Sequence, residues 1–390
     1  MTQLFNSFFL GGFECSTHRR RDGRRLDLIK TTHHDAFALR DYQALRSYGI
    51  ATVRDGLRWH LIEPSPGQYD WSSFLDMLRA ARQADMQPIW DLCHYGWPDD
   101  IDIWSPQFVK RFADFAARVA AIVRDEWPGI AYYCPINEIS FWAWAGGDMA
   151  LFNPLATRRG MELKTQLVRA SLAAVVAIRQ VAPLARIVHI DPVINVVPKS
   201  PRSRRQAEHA QQAQFEAWDM LAGAVHPQLG GGTSHLDIIG VNYYSNNQWV
   251  LGGRTVKRDS PLYRPLRDIL ADTYHRYRRP IFIAETGAEG EHRAPWFRYV
   301  CDEAYAALKE GVPLGGICLY PITDYPGWAN NRHCQSGLLG RPDKHGDRPV
   351  HTDLANELSI QQQRFQQFFS PTTALDQPLT HQDPCRAAVE

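Results

Sequence analysis

The feature that most limits what this chain can fold into is a regular alternation of short β-rich runs with long amphipathic stretches. Eight runs read as strands, at 8–14, 50–55, 87–93, 130–137, 186–190, 236–243, 279–285 and 314–320. Leu236-Asp-Ile-Ile-Gly-Val241 and Leu314-Gly-Gly-Ile-Cys-Leu319 are nearly unbroken apolar runs, which suits strands buried on both faces of a parallel sheet. Helical patterns occupy the intervals, at about 34–48, 72–85, 106–126, 162–181, 202–224, 262–276 and 295–310. Gly49, Pro128-Gly129 and Gly311 followed by Pro313 supply stop signals. A helix over about 352–369 completes the set.

Eight strand–helix units in series predict an α/β fold, a (β/α)8 TIM barrel forming one catalytic domain over residues 1–370. The alternative is an open doubly wound sheet, but no Gly-x-Gly-x-x-Gly follows the first strand. Residues 371–390 are polar and proline-containing and are expected to form a flexible tail. Hydrophobic residues make up 44% of the 390, enough for one large core. The 43 basic and 42 acidic residues leave a net charge of +1, so bulk charge gives no reason to expect a nucleic-acid partner.

Seven cysteines (15, 93, 134, 301, 318, 334 and 385) are scattered, odd in number and without a Cys-x-x-Cys pair. That pattern suits reduced thiols in a cytoplasmic protein rather than a disulfide framework or zinc site. The opening Met1-Thr-Gln-Leu-Phe-Asn-Ser-Phe-Phe-Leu10 has neither a basic leader nor an Ala-x-Ala site and reads as a first strand rather than a signal peptide. No apolar run is long enough to span a bilayer, so no membrane partner is expected.

Barrel enzymes carry their chemistry at the C-terminal ends of the strands. Here those ends read Glu14, His18 and Arg19; Arg54 and Trp59; Asp91 and His94; Asn137 and Glu138; His189 and Asp191; Asn242 and Tyr244; Glu285; Tyr320 and Asp324. Barrel packing does not need so many ionisable groups. Glu138 and Glu285 each end an apolar run, where a carboxylate is costly unless it is paired or used. A buried ion pair accounts for either one alone. Together they suit glycoside chemistry, in which one carboxylic acid protonates the leaving oxygen and a second carboxylate acts from the other side of the sugar. Retention requires the two roughly 5–5.5 Å apart and inversion about 6.5–9.5 Å, a distance no sequence gives.

Several of these segments resemble glycoside hydrolase family 1, the β-glucosidase-like group of the clan A barrels, from the first strand to about residue 340. They are Phe9-Leu-Gly-Gly12, Trp90-Asp-Leu-Cys-His94-Tyr-Gly-Trp97-Pro98, Pro135-Ile-Asn137-Glu138, Gly240-Val-Asn242-Tyr-Tyr244 and Ile281-Phe-Ile-Ala-Glu285-Thr-Gly287. The resemblance implies Glu138 as acid/base, Glu285 as nucleophile, Tyr244 touching the nucleophile and His94 on a sugar hydroxyl. Physical argument agrees. Trp142, Trp144 and the charge of Glu285 would keep Glu138 protonated, while Arg54 and the Tyr244 hydroxyl would keep Glu285 ionised. Asn137 would bond the sugar 2-hydroxyl. Asn242, Tyr320 and Arg19 are further substrate-binding candidates. Of the twelve tryptophans, Trp142 and Trp328 are the expected sugar platforms, packing being the alternative role for each.

The chain departs from the family in its sugar grip. In Tyr320-Pro-Ile-Thr-Asp324-Tyr-Pro-Gly327-Trp328, tyrosine replaces the first tryptophan and Gly327 replaces a glutamate. His18-Arg19 stand near a usual glutamine, and Thr286 replaces asparagine. Basic loops accompany the change: Thr17-His-Arg-Arg-Arg-Asp-Gly-Arg-Arg25, Lys199-Ser-Pro-Arg-Ser-Arg-Arg205 and Arg254-Thr-Val-Lys-Arg258. They are either solvated surface or a device for an anionic glycoside.

The expected activity is retaining β-glycosidase action on a small glycoside or oligosaccharide, without cofactor or metal. Transglycosylation on the same residues and a catalytically idle sugar-binding barrel remain open. So does a metal-dependent hydrolase using His33-His34-Asp35 or His189 and Asp191, although His33-His34 falls at a helix start.

Overall fold

The computed structural model describes residues 3–370, so the expected tail at 371–390 lies outside the described residues. Eight parallel strands close into a barrel: β1 Phe9–Gly12, β2 Thr52–Gly56, β3 Gln87–Asp91, β4 Tyr132–Cys134, β5 Arg186–Pro192, β6 Ile238–Asn242, β7 Ile281–Thr286 and β8 Leu314–Leu319. Each pairs with its sequence neighbour, and β1 closes the ring against β8. The expected (β/α)8 barrel is therefore the observed fold, and the doubly wound alternative is overturned.

Alternation along each strand builds two apolar layers. Leu10, Ile89, Val188, Ile190, Ile238, Phe282 and Ala284 belong to a buried inner cluster. Val53, Trp90, Ile187, Ile239, Ile281, Ile283 and Ile317 join a larger cluster with the outer helices. Those helices include Pro106–Glu126, Gly160–Val181, Arg293–Lys309 and Thr352–Phe369. Gly12 has a specific reason to lack a side chain: a Cβ there would collide with the Tyr320 ring laid across it. No helix among the described residues is long and apolar enough to cross a membrane.

Two elements differ from expectation. The strand expected over 130–137 is regular only over Tyr132–Cys134. Pro135 has no amide hydrogen to offer the ladder. Beyond it the chain turns across the barrel mouth, Asn137 N donating to Cys93 O at 3.0 Å and Glu138 N to Ile190 O at 3.0 Å. The helix expected over 202–224 is broken into Arg204–Gln212, a 3-10 turn Ala213–Phe215 and Glu216–Leu221. Buried Gln214 sits in the break, where its Oε1 accepts from Ile194 N at 2.8 Å. A small accessory sheet was not expected. Asn195–Val197, after β5, pairs in parallel with Gln248–Val250, after β6.

Candidate active site

Glu285 is aimed by a β-bulge. On β6, Val241 and Asn242 are consecutive, but their partners on β7 are Ile283 and Glu285. The extra residue, Ala284, breaks the simple alternation just before the carboxylate. Bulges of this kind re-aim side chains beside active sites. The turned carboxylate meets two donors: Arg54 Nη1 lies 2.9 Å from Oε1, and the Tyr244 hydroxyl donates to Oε2 at 2.9 Å. The sequence expected both contacts.

Arg54 is fully buried and works on several groups at once. Besides Glu285 it donates to Ala284 O at 2.9 Å, Asp91 Oδ2 at 2.6 Å and Asn137 Oδ1 at 3.0 Å. Burial opposes its charge, but Asp91 and Glu285 outweigh burial and raise its pKa. Asn137 passes the connection on, its Nδ2 lying 3.1 Å from His94 Nε2 and 3.0 Å from the Tyr95 hydroxyl. That hydroxyl in turn donates to Glu138 Oε2. A continuous hydrogen-bonded circuit thus runs Glu285–Arg54–Asn137–Tyr95–Glu138.

Glu138 occupies the left-handed region (φ 48°, ψ 60°), immediately before the short helix Ile139–Trp142. That conformation is uncommon outside glycine and persists where the surrounding structure enforces it. Asn242 Nδ2 donates to Glu138 Oε1 at 2.8 Å. Burial pushes the carboxyl up to about 8, and the charge of Glu285 pushes in the same direction. The hydrogen bonds from Tyr95 and Asn242 only partly oppose this. The two carboxyls thus sit in opposite surroundings, one resisting ionisation and the other held by a guanidinium.

Beneath the pair lies a support cluster. His94 Nδ1 is 3.1 Å from Asp91 Oδ2 and 3.2 Å from Cys15 Sγ. Burial would favour neutral His94, but Asp91 and Glu14 raise its pKa. Cys15, Asp91 and His94 are spaced closely enough to hold a metal ion. Against that role, Asp91 Oδ2 is already ion-paired with Arg54, and burial raises the Cys15 thiol far from its reactive thiolate form. Glu14 is also buried, with Oε1 accepting from Ser16 N at 3.0 Å and Ser16 Oγ at 2.6 Å. Burial raises its pKa.

The remaining expected residues fall into distinct places. Tyr320 is buried, with Arg54 5.1 Å from its ring centroid. Trp328 is half-buried and edge-on to His18, with ring centroids 4.7 Å apart. The Trp328 Nε1 and Tyr320 hydroxyl have no hydrogen-bond partner among the described residues. Trp142 does not offer a sugar platform: it is 0% exposed, and its Nε1 donates to Asn153 O at 2.9 Å. Trp144 is 49% exposed and so cannot be what buries Glu138. Asn242, expected on the substrate, holds Glu138 through its amide hydrogens.

Arg19 also departs from expectation. Its Nε donates to Asp99 at 2.7 Å and its Nη1 to Gly23 O at 2.7 Å. Arg25 pairs with the same Asp99, and Arg20 pairs with Asp22 at 2.9 Å. Arg19, Arg20, Arg21 and Arg25 are thus engaged within the protein rather than presented to a substrate anion, and Arg24 is exposed. Thr286 also has a structural task, accepting from Trp296 Nε1 at 2.9 Å.

Four of the residues weighed as metal ligands, His34, Asp35, His189 and Asp191, are employed elsewhere, and Asp35 pairs with Arg58 at 2.9 Å. His34 bridges Asp41 (2.7 Å) and Asp55 (2.8 Å), and those carboxylates raise it to about 9 against the opposing effect of burial. An imidazolium with both nitrogens bonded is not a metal ligand. His189 is tied to His235 O at 3.0 Å, and Asp191 accepts from Ser140 N at 3.0 Å. Sequence reasoning missed Tyr95, whose backbone is held at φ 65°. Its only sequence signal was its place next to His94.

No family model matches the chain, and no curated protein does. Solved structures do match its fold. The family 1 β-glucosidase from Thermotoga maritima aligns with a TM-score of 0.73 at 16% identity, over 92% of this chain and 98% of that one. A β-glucosidase from the same organism in complex with castanospermine gives a TM-score of 0.74 at 17% identity, over 92% and 98%. A hyperthermophilic β-glucosidase mutant gives 0.73 at 16% identity, over 90% and 98%. The chain therefore has the barrel of the family 1 β-glucosidases.

Proposed function

We propose that the chain is a retaining β-glycosidase that hydrolyses O-glycosidic bonds of a small glycoside or oligosaccharide, with Glu285 as nucleophile and Glu138 as acid/base. The observation that carries this reading is the hydrogen-bonded circuit, which joins two carboxyls in unlike surroundings: burial raises the pKa of Glu138, while Glu285 is bonded to the Arg54 guanidinium. A carboxyl whose pKa is raised beside a second carboxylate suits the general acid of such a pair.

In the first step Glu138 gives its proton to the glycosidic oxygen as the Glu285 carboxylate attacks the anomeric carbon. The leaving group departs as an alcohol, and a glycosyl ester forms on Glu285. The ester carries no charge, so the repulsion that raised Glu138 disappears. Glu138, now a carboxylate, takes a proton from water as the oxygen attacks the same carbon and the ester breaks. Asn242 and Tyr95 steady Glu138 through both steps. Asn137, His94, Trp328 and Tyr320 are the proposed contacts to sugar hydroxyls; the buried Trp328 Nε1 and Tyr320 hydroxyl have no partner among the described residues.

Fold likeness supports the sugar class: Thermotoga maritima β-glucosidase structures include complexes with deoxynojirimycin and glucoimidazole. The test is a panel of chromogenic β-glycosides, neutral and acidic, with the anomer of the first-formed sugar followed by proton NMR. Release of the β-anomer supports the reading. First-formed α-anomer, or no turnover on any member, contradicts it.

A further inference from the structure

The accessory sheet gathers charge. Asn195–Val197 and Gln248–Val250 run in parallel, Leu251 N donates to Val197 O at 2.8 Å, and the chain turns back at Arg254, whose carbonyl accepts from Val250 N at 3.0 Å. Residues 199–205 and 251–254 therefore leave the same end of this sheet. They follow β5 and β6, on the rim that carries Glu138, Asn242 and Tyr244.

The two segments bring together Lys199, Arg202, Arg204, Arg205 and Arg254, all exposed. None of the five forms a salt bridge among the described residues, whereas three of the five arginines after β1 (Arg19, Arg20 and Arg25) do. Glu208 and Asp259 are the acidic residues of the neighbouring chain, in a protein whose net charge is only +1. Arg204 and Arg205 also open the helix Arg204–Gln212, whose first turn has no acidic residue. Cations are disfavoured there by the helix dipole. Unpaired like charges repel one another, and a local arrangement that works against stability is expected where function requires it.

We propose that this basic rim binds the extended part of a polyanionic oligosaccharide whose reacting bond lies between Glu138 and Glu285. The proposal rests on the glycosidase reading for the position of the reacting bond. Guanidinium groups recognise carboxylate and sulfate alike. A glycan is favoured over a lipid surface or nucleic acid because Tyr244, which bonds Glu285, and Arg254 both belong to the connection that follows β6.

The test uses fluorescence anisotropy with labelled β-linked hexamannuronate, sulfated cellohexaose and neutral cellohexaose, at low and high salt. The parent protein is compared with the triple variant Lys199→Ser/Arg202→Ser/Arg254→Ser. An acidic hexamer should bind the parent more tightly than cellohexaose, weaken with salt, and lose at least about tenfold in affinity in the variant. The uronate and sulfate arms identify the anion. Turnover of a short neutral aryl β-glycoside should be the same in both proteins. Equal binding of charged and neutral hexamers, an unaffected variant, or binding to anionic vesicles or single-stranded DNA with none to either acidic hexamer would overturn the proposal. Binding that passes alongside failure of all turnover would reject the glycosidase reading while keeping the anionic rim.

Discussion

Tyr95 donates its phenolic hydrogen to Glu138 Oε2 from a backbone held at φ 65°, and the same phenolic oxygen accepts from Asn137 Nδ2 at 3.0 Å. One hydroxyl therefore both steadies the acid/base residue and ties it to the network holding Glu285. This bond favours the ionised form of Glu138 and so lowers its pKa. Tyr95→Phe should raise that pKa and carry the alkaline limb of the kcat/KM profile to higher pH. A hydrogen bond to a charged group is worth about 1.5–3 kcal/mol, which corresponds to roughly 1–2 pH units. An unshifted limb with merely lowered activity would make Tyr95 a packing residue.

Glu285→Gly should lose turnover by roughly 10⁴-fold or more, the scale on which removal of a reacting group is felt. Azide should restore activity by attacking the anomeric carbon in place of the carboxylate. The product should be a glycosyl azide of inverted configuration, read by NMR.

Glu138→Ala should distinguish substrates by their leaving groups. A dinitrophenolate departs without protonation, whereas an alkyl alcohol does not. The first step should be nearly spared for the former and slowed by about 10²–10⁴-fold for the latter, the range general acid catalysis supplies. Pre-steady-state release of the phenol measures it.

The His34 bridge sets a pH dependence of stability rather than of activity. Its pKa is raised from 6.5 to about 9 in the folded protein, so its stabilising contribution is complete below about 6.5 and is lost as pH rises through 9. The shift corresponds to roughly 3 kcal/mol. Denaturant unfolding of the parent should show stability falling between neutral and alkaline pH. His34→Gln should be less stable at neutral pH and should lose less stability than the parent across that window.

The sequence carried the barrel because parallel strands buried on both faces leave apolar runs, and the polar residues that end them stand out. Arg54, Tyr244, Glu138 and Glu285 were legible for that reason. Features set by long-range geometry were not. The bulge at Ala284 exists only as a register between two strands. Arg19 looks free until Asp99, 80 positions away, is folded against it. Trp142 and Trp144 are two residues apart, yet one is wholly enclosed and the other half exposed. Tyr95 was hidden because a left-handed backbone at a bulky residue has no sequence signature.

The most direct test is carbon-13 NMR titration of the Glu138 carboxyl in the parent protein and in Glu285→Gln. In the parent, Glu138 should titrate at about 8. In the variant, with the neighbouring charge removed, it should titrate at clearly lower pH. An ordinary carboxylate value near 4.5 in the parent, or the same value in both proteins, would contradict a coupled acid/base and nucleophile.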